Sequence, residues 1–119
     1  MKVTIDYLDE FERGAKALRK KYASFENDYD TFLNELEANP YAGESLGQHT
    51  YKHRMAIASK GKGKSGGARV ITYNVQRIGA DVVLVTLMSI YDKSDIENVS
   101  DAYIRSLVQK IEVPKSDKK

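Results

Sequence analysis

The sequence predicts an α+β domain in which a strand and two helices precede three strands and a final helix. Three observations carry that expectation. Apolar residues recur at steps of three and four over residues 8–36 and again over residues 99–111, the period of helices with one buried face. Short β-prone runs lie between those blocks, and one of them, residues 81–90, is almost continuously apolar. A segment rich in glycine and lysine, residues 59–67, separates two of the runs as a loop separates paired strands.

The chain of 119 residues suits one domain with one modest core. Residues 1–113 are expected to form it, and residues 114–119 to be a flexible basic tail. There is no cysteine, and His49 and His53 are the two histidines, so neither a disulfide framework nor an all-protein metal site is expected, and no cofactor. No run approaches the roughly 20 apolar residues of a membrane helix, and charged residues rather than an apolar leader follow Met1 to Asp6. A soluble cytoplasmic protein with no membrane partner is the expectation.

Val3, Thr4 and Ile5 form a short β-prone run, and Asp6 is placed to cap a helix over residues 7–23. Leu8, Phe11, Ala15, Leu18 and Tyr22 make its apolar stripe. Ser24 offers a second cap, and Phe25, Tyr29, Phe32, Leu33 and Leu36 continue the pattern until Asn39 and Pro40 end it. Both stripes are read as buried on the protein's own sheet. Residues 41–50 read as a loop. Strands are expected over residues 51–58 and 68–75, with Lys52, Arg54, Ala56 and Ala58 on one face of the first and Tyr51, His53, Met55 and Ile57 on the other. Arg69 shares a face with Ile71, Tyr73 and Val75, and strand register decides whether it meets Lys52 and Arg54. Residues 77–80 read as a turn, residues 81–90 as the middle strand of the sheet, and residues 91–95 as a polar loop. In the last helix Val99, Tyr103, Leu107 and Ile111 mark a core stripe that Pro114 ends.

Charge is distributed unevenly. No acidic residue occurs between Glu44 and Asp81, whereas Lys52, Arg54, Lys60, Lys62, Lys64, Arg69 and Arg77 place seven positive charges there. The whole chain carries 19 Lys+Arg and 17 Asp+Glu, so the remainder has 12 basic against 17 acidic residues. A one-sided field of this kind attracts a polyanion, and nucleic acid is the first partner to consider. For Lys60, Lys62 and Lys64 the alternative is a solvated loop tip. Gly63, Lys64 and Ser65 imitate the end of a nucleotide-binding P-loop, but Ala58 stands in place of its first glycine and β-prone residues follow instead of a helix. No nucleotide cofactor is expected.

The element order, the run Tyr51, Lys52, His53, Arg54, Met55 and the run from Gly67 to Tyr73 resemble the RelE/ParE toxin superfamily of bacterial toxin–antitoxin systems over nearly the whole chain. The loop from Gly61 to Arg69 and the strand end at Tyr91, Asp92 and Lys93 most resemble the HigB/RelE branch of ribosome-dependent mRNA interferases. This resemblance implies a RelE-like fold, with an N-terminal strand and helical hairpin, an antiparallel three-strand meander and a C-terminal helix. It also implies an endoribonuclease that enters the ribosomal decoding site, cuts translated mRNA, and is neutralised by a cognate antitoxin. It carries Lys52, Arg54 and Arg69 over by position. The chain departs from the ribonuclease pattern at the end of the last strand, where Tyr91 and Lys93 stand in place of an arginine.

Metal-free RNA cleavage needs a group to accept the 2′-hydroxyl proton, cations around the phosphate and an acid for the departing oxygen. A cation crowded by cations gives up its proton more readily, so Lys52 beside Arg54 is the candidate base. Arg54 and Arg69 suit the phosphate oxygens, Tyr91 could stack on a base, and Lys93 could contact phosphate or act as the acid. Lys60, Lys62, Lys64 and Arg77 are candidates for binding RNA or the ribosome. His53 shares its face with apolar residues and is read as structural. Two other functions are compatible with these residues: a ParE-like inhibitor of DNA gyrase, and a catalytically silent RNA-binding relic.

Overall fold

The computed structural model describes residues 2–61, 63–77 and 81–112. Lys62, most of the expected turn at residues 77–80 and the expected tail at residues 114–119 lie outside them, as does the side chain of Arg77. Strand β1 spans Lys2–Tyr7, helix α1 Asp9–Lys21, helix α2 Phe25–Ala38, strand β2 Glu44–Gly47, strand β3 Thr50–Met55, strand β4 Ala68–Arg77, strand β5 Val82–Asp92 and helix α3 Asp101–Glu112. Two single 3-10 turns, Ala58–Lys60 and Lys64–Gly66, lie between β3 and β4. The result is an α+β domain on a mixed sheet of order β1-β5-β4-β3-β2. β1 runs parallel to β5, and the other pairs are antiparallel.

Each face of the sheet buries its own helices. Phe11, Ala15 and Leu18 of α1 and Phe25, Phe32 and Leu36 of α2 pack on Met55, Val70, Val83, Val85 and Leu87. On the opposite face Ile104 and Leu107 of α3 meet Ile71, Tyr73, Met88 and Tyr91. Both faces are therefore covered, as the apolar run of β5 requires. Helix α1 lies so close to β5 that a Cβ at Gly14 would sit 2.5 Å from the Ile90 carbonyl oxygen.

Several local expectations are corrected. Asp6 belongs to β1, which continues to Tyr7 opposite Leu87, and Leu8 takes the cap position while donating its N–H to the Leu87 carbonyl. Ser24 stands before α2 but makes no side-chain capping bond, because its hydroxyl is engaged with Asp28 and Ser59. The expected loop at residues 41–50 contains β2. β3 ends at Met55 and the chain turns at Ala58, so Ala56 and Ala58 do not extend the face of Lys52 and Arg54. β4, not β5, is the central strand, because β1 adds outside β5 while β3 and β2 add beyond β4. Tyr103 is 40% exposed, and the neighbouring Ile104 is buried in its place.

The edges of the sheet are stepped. β2 pairs with β3 only as far as Lys52, so residues 53–55 have one open edge. β1 pairs with β5 only as far as Leu87, which leaves the end of β5 open in the same way.

Candidate functional site

The open edge of β3 borders a cleft of about 640 Å³ between the C-terminal half of α2 and residues 93–98. Lys52, Arg54, Lys64, Arg69 and Lys93 line it, with Glu35, Glu44 and Glu97. Strand register explains how three of these cations come together. Arg54 lies opposite Arg69, Lys52 opposite Ile71, and Arg69 in turn opposite Tyr91. Alternation then puts Lys52, Arg54 and Arg69 on the same face of the sheet, the face that also carries α3.

The cations differ in what they already hold. Arg54 is exposed and, among the described residues, has no hydrogen-bond or ion-pair partner, so its fork of donors is available to an incoming anion. Arg69 is buried at 6% exposure, and its guanidinium donates to the carbonyl oxygens of Lys64, Ser65 and Ala68 at 2.9–3.2 Å. Burial, and then the nearby Arg54, lowers its pKa from the usual arginine value, while Tyr91 pulls the other way. Lys52 holds partners of its own: its Nζ donates to Asn98 Oδ1 at 2.9 Å and lies 3.7 Å from Glu44. Lys64 reaches Glu35 at 3.1 Å.

Two predicted residues lie elsewhere. Tyr91 is part of β5 rather than of a loop, is 7% exposed, and lines a separate hollow with Ser89, Ile96 and Tyr103. Its hydroxyl has no hydrogen-bond partner among the described residues, and burial raises its pKa while Arg69 opposes the shift. Lys60 turns inward, with a side chain 6% exposed and its Nζ 2.6 Å from Asp92. Lys93 borders the cleft, and its N–H donates to the Gly67 carbonyl at 3.0 Å. Lys62 and the side chain of Arg77 lie outside the described residues.

His53 faces α2, edge-on to Phe32, with Nε2 3.2 Å from the Thr72 hydroxyl. Burial holds its pKa down to about 4, so the imidazole is neutral at physiological pH and lacks the basicity of a proton acceptor there. Asp92, which sequence reasoning passed over as part of a polar loop, is 2% exposed and accepts bonds from Tyr22, Lys60 and the Ser94 N–H. Burial alone would raise its pKa. The bonds from Lys60, Tyr22 and Ser94 outweigh that and hold the carboxyl well below the usual range. Its one sequence signal was an acid at the end of a run of apolar strand residues.

No family model matches the chain. The arrangement itself is suited to gripping an anion: one uncommitted guanidinium, a second fixed beside it, and three lysines on a cleft wall.

Proposed function

We propose that the protein is a RelE/ParE-type toxin of the HigB/RelE branch, whose cleft binds translated mRNA on the ribosome and cuts it. The observation that carries this reading is the opposition of Arg54 and Arg69 on one sheet face beside Lys52, with the Arg54 fork left open to the cleft. The element order and the β3, β4, β5 meander support a RelE-like domain.

In this reading Arg54 holds the scissile phosphate through paired donors, and its charge stabilises the oxygens as negative charge builds up. Arg69 contributes its charge to the same place while its donors keep the loop carbonyls fixed. Lys52 stands beside Arg54 on the strand and acts in its neutral form: its ammonium proton leaves to solvent, and the free amine takes the proton of the 2′-hydroxyl. The 2′-oxygen then attacks phosphorus, the bond to the 5′-oxygen breaks, and Lys93 donates the proton that this oxygen needs. The acids of the cleft already neutralise Lys52 and Lys64 in part, so RNA exchanges phosphates for Glu44 and Glu35 on entering. A cognate antitoxin carrying acidic side chains would compete for the same cations.

The test is to incubate the purified protein with ribosomes programmed by an mRNA and to map the ends, with a gyrase supercoiling assay in parallel. Cuts within the codon of the decoding site are expected, reduced on the order of a hundredfold in Arg54→Ala. Intact mRNA together with inhibited supercoiling would make it a gyrase inhibitor. Ribosome binding without cleavage would make it a silent relic.

A further inference from the structure

Lys60 and Asp92 take no part in the chemistry assigned above, yet among the described residues theirs is the ion pair buried on both sides. Burial of two charges is costly unless their remaining bonding positions are filled. Here they are filled. One Asp92 oxygen accepts from Lys60 at 2.6 Å and from the Ser94 N–H at 2.8 Å, and the other accepts from the Tyr22 hydroxyl at 2.6 Å. Lys60 also donates to the Ser94 hydroxyl at 2.9 Å and lies 5.6 Å from the centre of the Tyr22 ring.

Three distant parts of the chain meet at this pair: the end of α1, the loop between β3 and β4, and the end of β5. The residue after Asp92 is Lys93, whose N–H holds the Gly67 carbonyl. Gly67 cannot take a side chain, since a Cβ there would sit 2.2 Å from the Met55 carbonyl oxygen. The loop is thus fastened to the end of β5 at both of its ends, by a salt bridge at Lys60 and by backbone at Gly67, and to the start of α2 by Ala58 on Asp28 and Ser59 on Ser24. Between these points Arg69 grips the carbonyls of Lys64 and Ser65.

We infer that Asp92 is a positioning residue of the cleft: through Lys60 it holds the loop in place, so that Lys64 and Lys93 face an RNA backbone that Lys60 itself does not touch. This inference rests on the reading of the cleft as an RNA site, and two measurements separate them. The variants are Lys60→Met, Lys60→Arg and the double change Lys60→Met with Asp92→Asn, the last to avoid leaving a buried carboxylate with only the more distant Lys21, 3.7 Å away, as its cation.

Amide hydrogen exchange comes first. In the double variant the amides of residues 60–61 and 63–67 should exchange at least about tenfold faster while those of β4 and β5, and those of Ala58 and Ser59 that Asp28 and Ser24 hold, stay slow. Loop amides as slow as in the parent overturn the inference. The second measurement is affinity for a single-stranded oligoribonucleotide across a potassium chloride series. The double variant should bind roughly tenfold more weakly with an unchanged salt slope, because no phosphate contact has been removed, and Lys60→Arg should restore most of the affinity. A slope smaller by about 0.7 would mean that Lys60 contacts phosphate directly, and unchanged affinity would mean that the loop position does not matter; either overturns the inference. A parent protein that neither binds nor cuts RNA defeats the proposed function, while the exchange measurement still decides whether the salt bridge holds the loop.

Discussion

At the scale of single residues, Arg54 and His53 both border the cleft but have opposite fates, because alternation leaves one exposed on the α3 face and buries the other on the α2 face, edge-on to Phe32. Arg54→Lys keeps the charge but loses the planar fork, so mRNA cleavage should fall on the order of tenfold, less than with alanine. His53 gives a pH signature. Its folded pKa of about 4 lies below the ordinary 6.5, so between those values the unfolded chain binds a proton that the folded chain does not. Stability is therefore complete above 6.5 and is lost as pH falls toward 4, by at most about 3 kcal/mol. Urea unfolding at pH 7 and at pH 4.5 should show this loss, and His53→Phe should flatten it. Asp92 has a depressed folded pKa as well, so its contribution is present above the ordinary 3.8 and disappears only as pH falls below that value. The structural role of His53 could be read from its apolar face. The fate of Lys60 could not, since nothing local distinguishes a lysine aimed at solvent from one aimed at a carboxylate 32 positions away.

At the scale of elements, α3 shows what periodicity can and cannot fix. Residues spaced strictly by four drift about 40° per step around a helix of 3.6 residues per turn, so a stripe through Val99, Tyr103, Leu107 and Ile111 wanders off the buried face. Ile104 and Leu107 are buried, Val108 and Ile111 pack beside them, and Tyr103 is left outside. Ile104→Ala should cost about 2–4 kcal/mol in chemical denaturation, against roughly 0.5 kcal/mol or less for Tyr103→Ala. In α1 the intrinsic preference of a helix interior favours alanine over glycine by about 1 kcal/mol. Gly14→Ala should nevertheless destabilise, by roughly 1–3 kcal/mol, since the new methyl would meet the Ile90 carbonyl. The long periodic helices and the apolar β5 were legible because each buries a regular face. β2 was not, because all four of its residues are exposed and show no alternation. The place of β5 in the sheet was hidden for a related reason: sheet order depends on which distant strands add at each side, and no local pattern records that.

At the scale of the whole molecule, the seven clustered cations of the sequence become a smaller working set. Of the five whose side chains are described, Lys60 is spent internally, Arg69 is committed to carbonyls, and Lys52, Arg54 and Lys64 remain, joined on the cleft wall by Lys93 from outside the cluster. At about 0.7 per phosphate contact on a single strand, these four cleft cations should together contribute a slope of about −3 to the fall of log affinity with log salt, and Arg54→Ala should make the measured slope shallower by about 0.7. A filter-binding titration across salt concentrations measures this directly.

The cleft also has an architectural origin that owes nothing to charge. It lies where β2 stops short of its neighbour's end, with the connection from α2 at Ala42, Gly43 and Glu44 forming one wall. Lengthening β2 by a residue pair would extend the ladder along residues 53–55 and close the entrance while every lysine and arginine stayed in place. Aperture and chemistry are therefore separate variables in this molecule, and shortening or lengthening one modest edge strand would change what can enter without altering what waits inside.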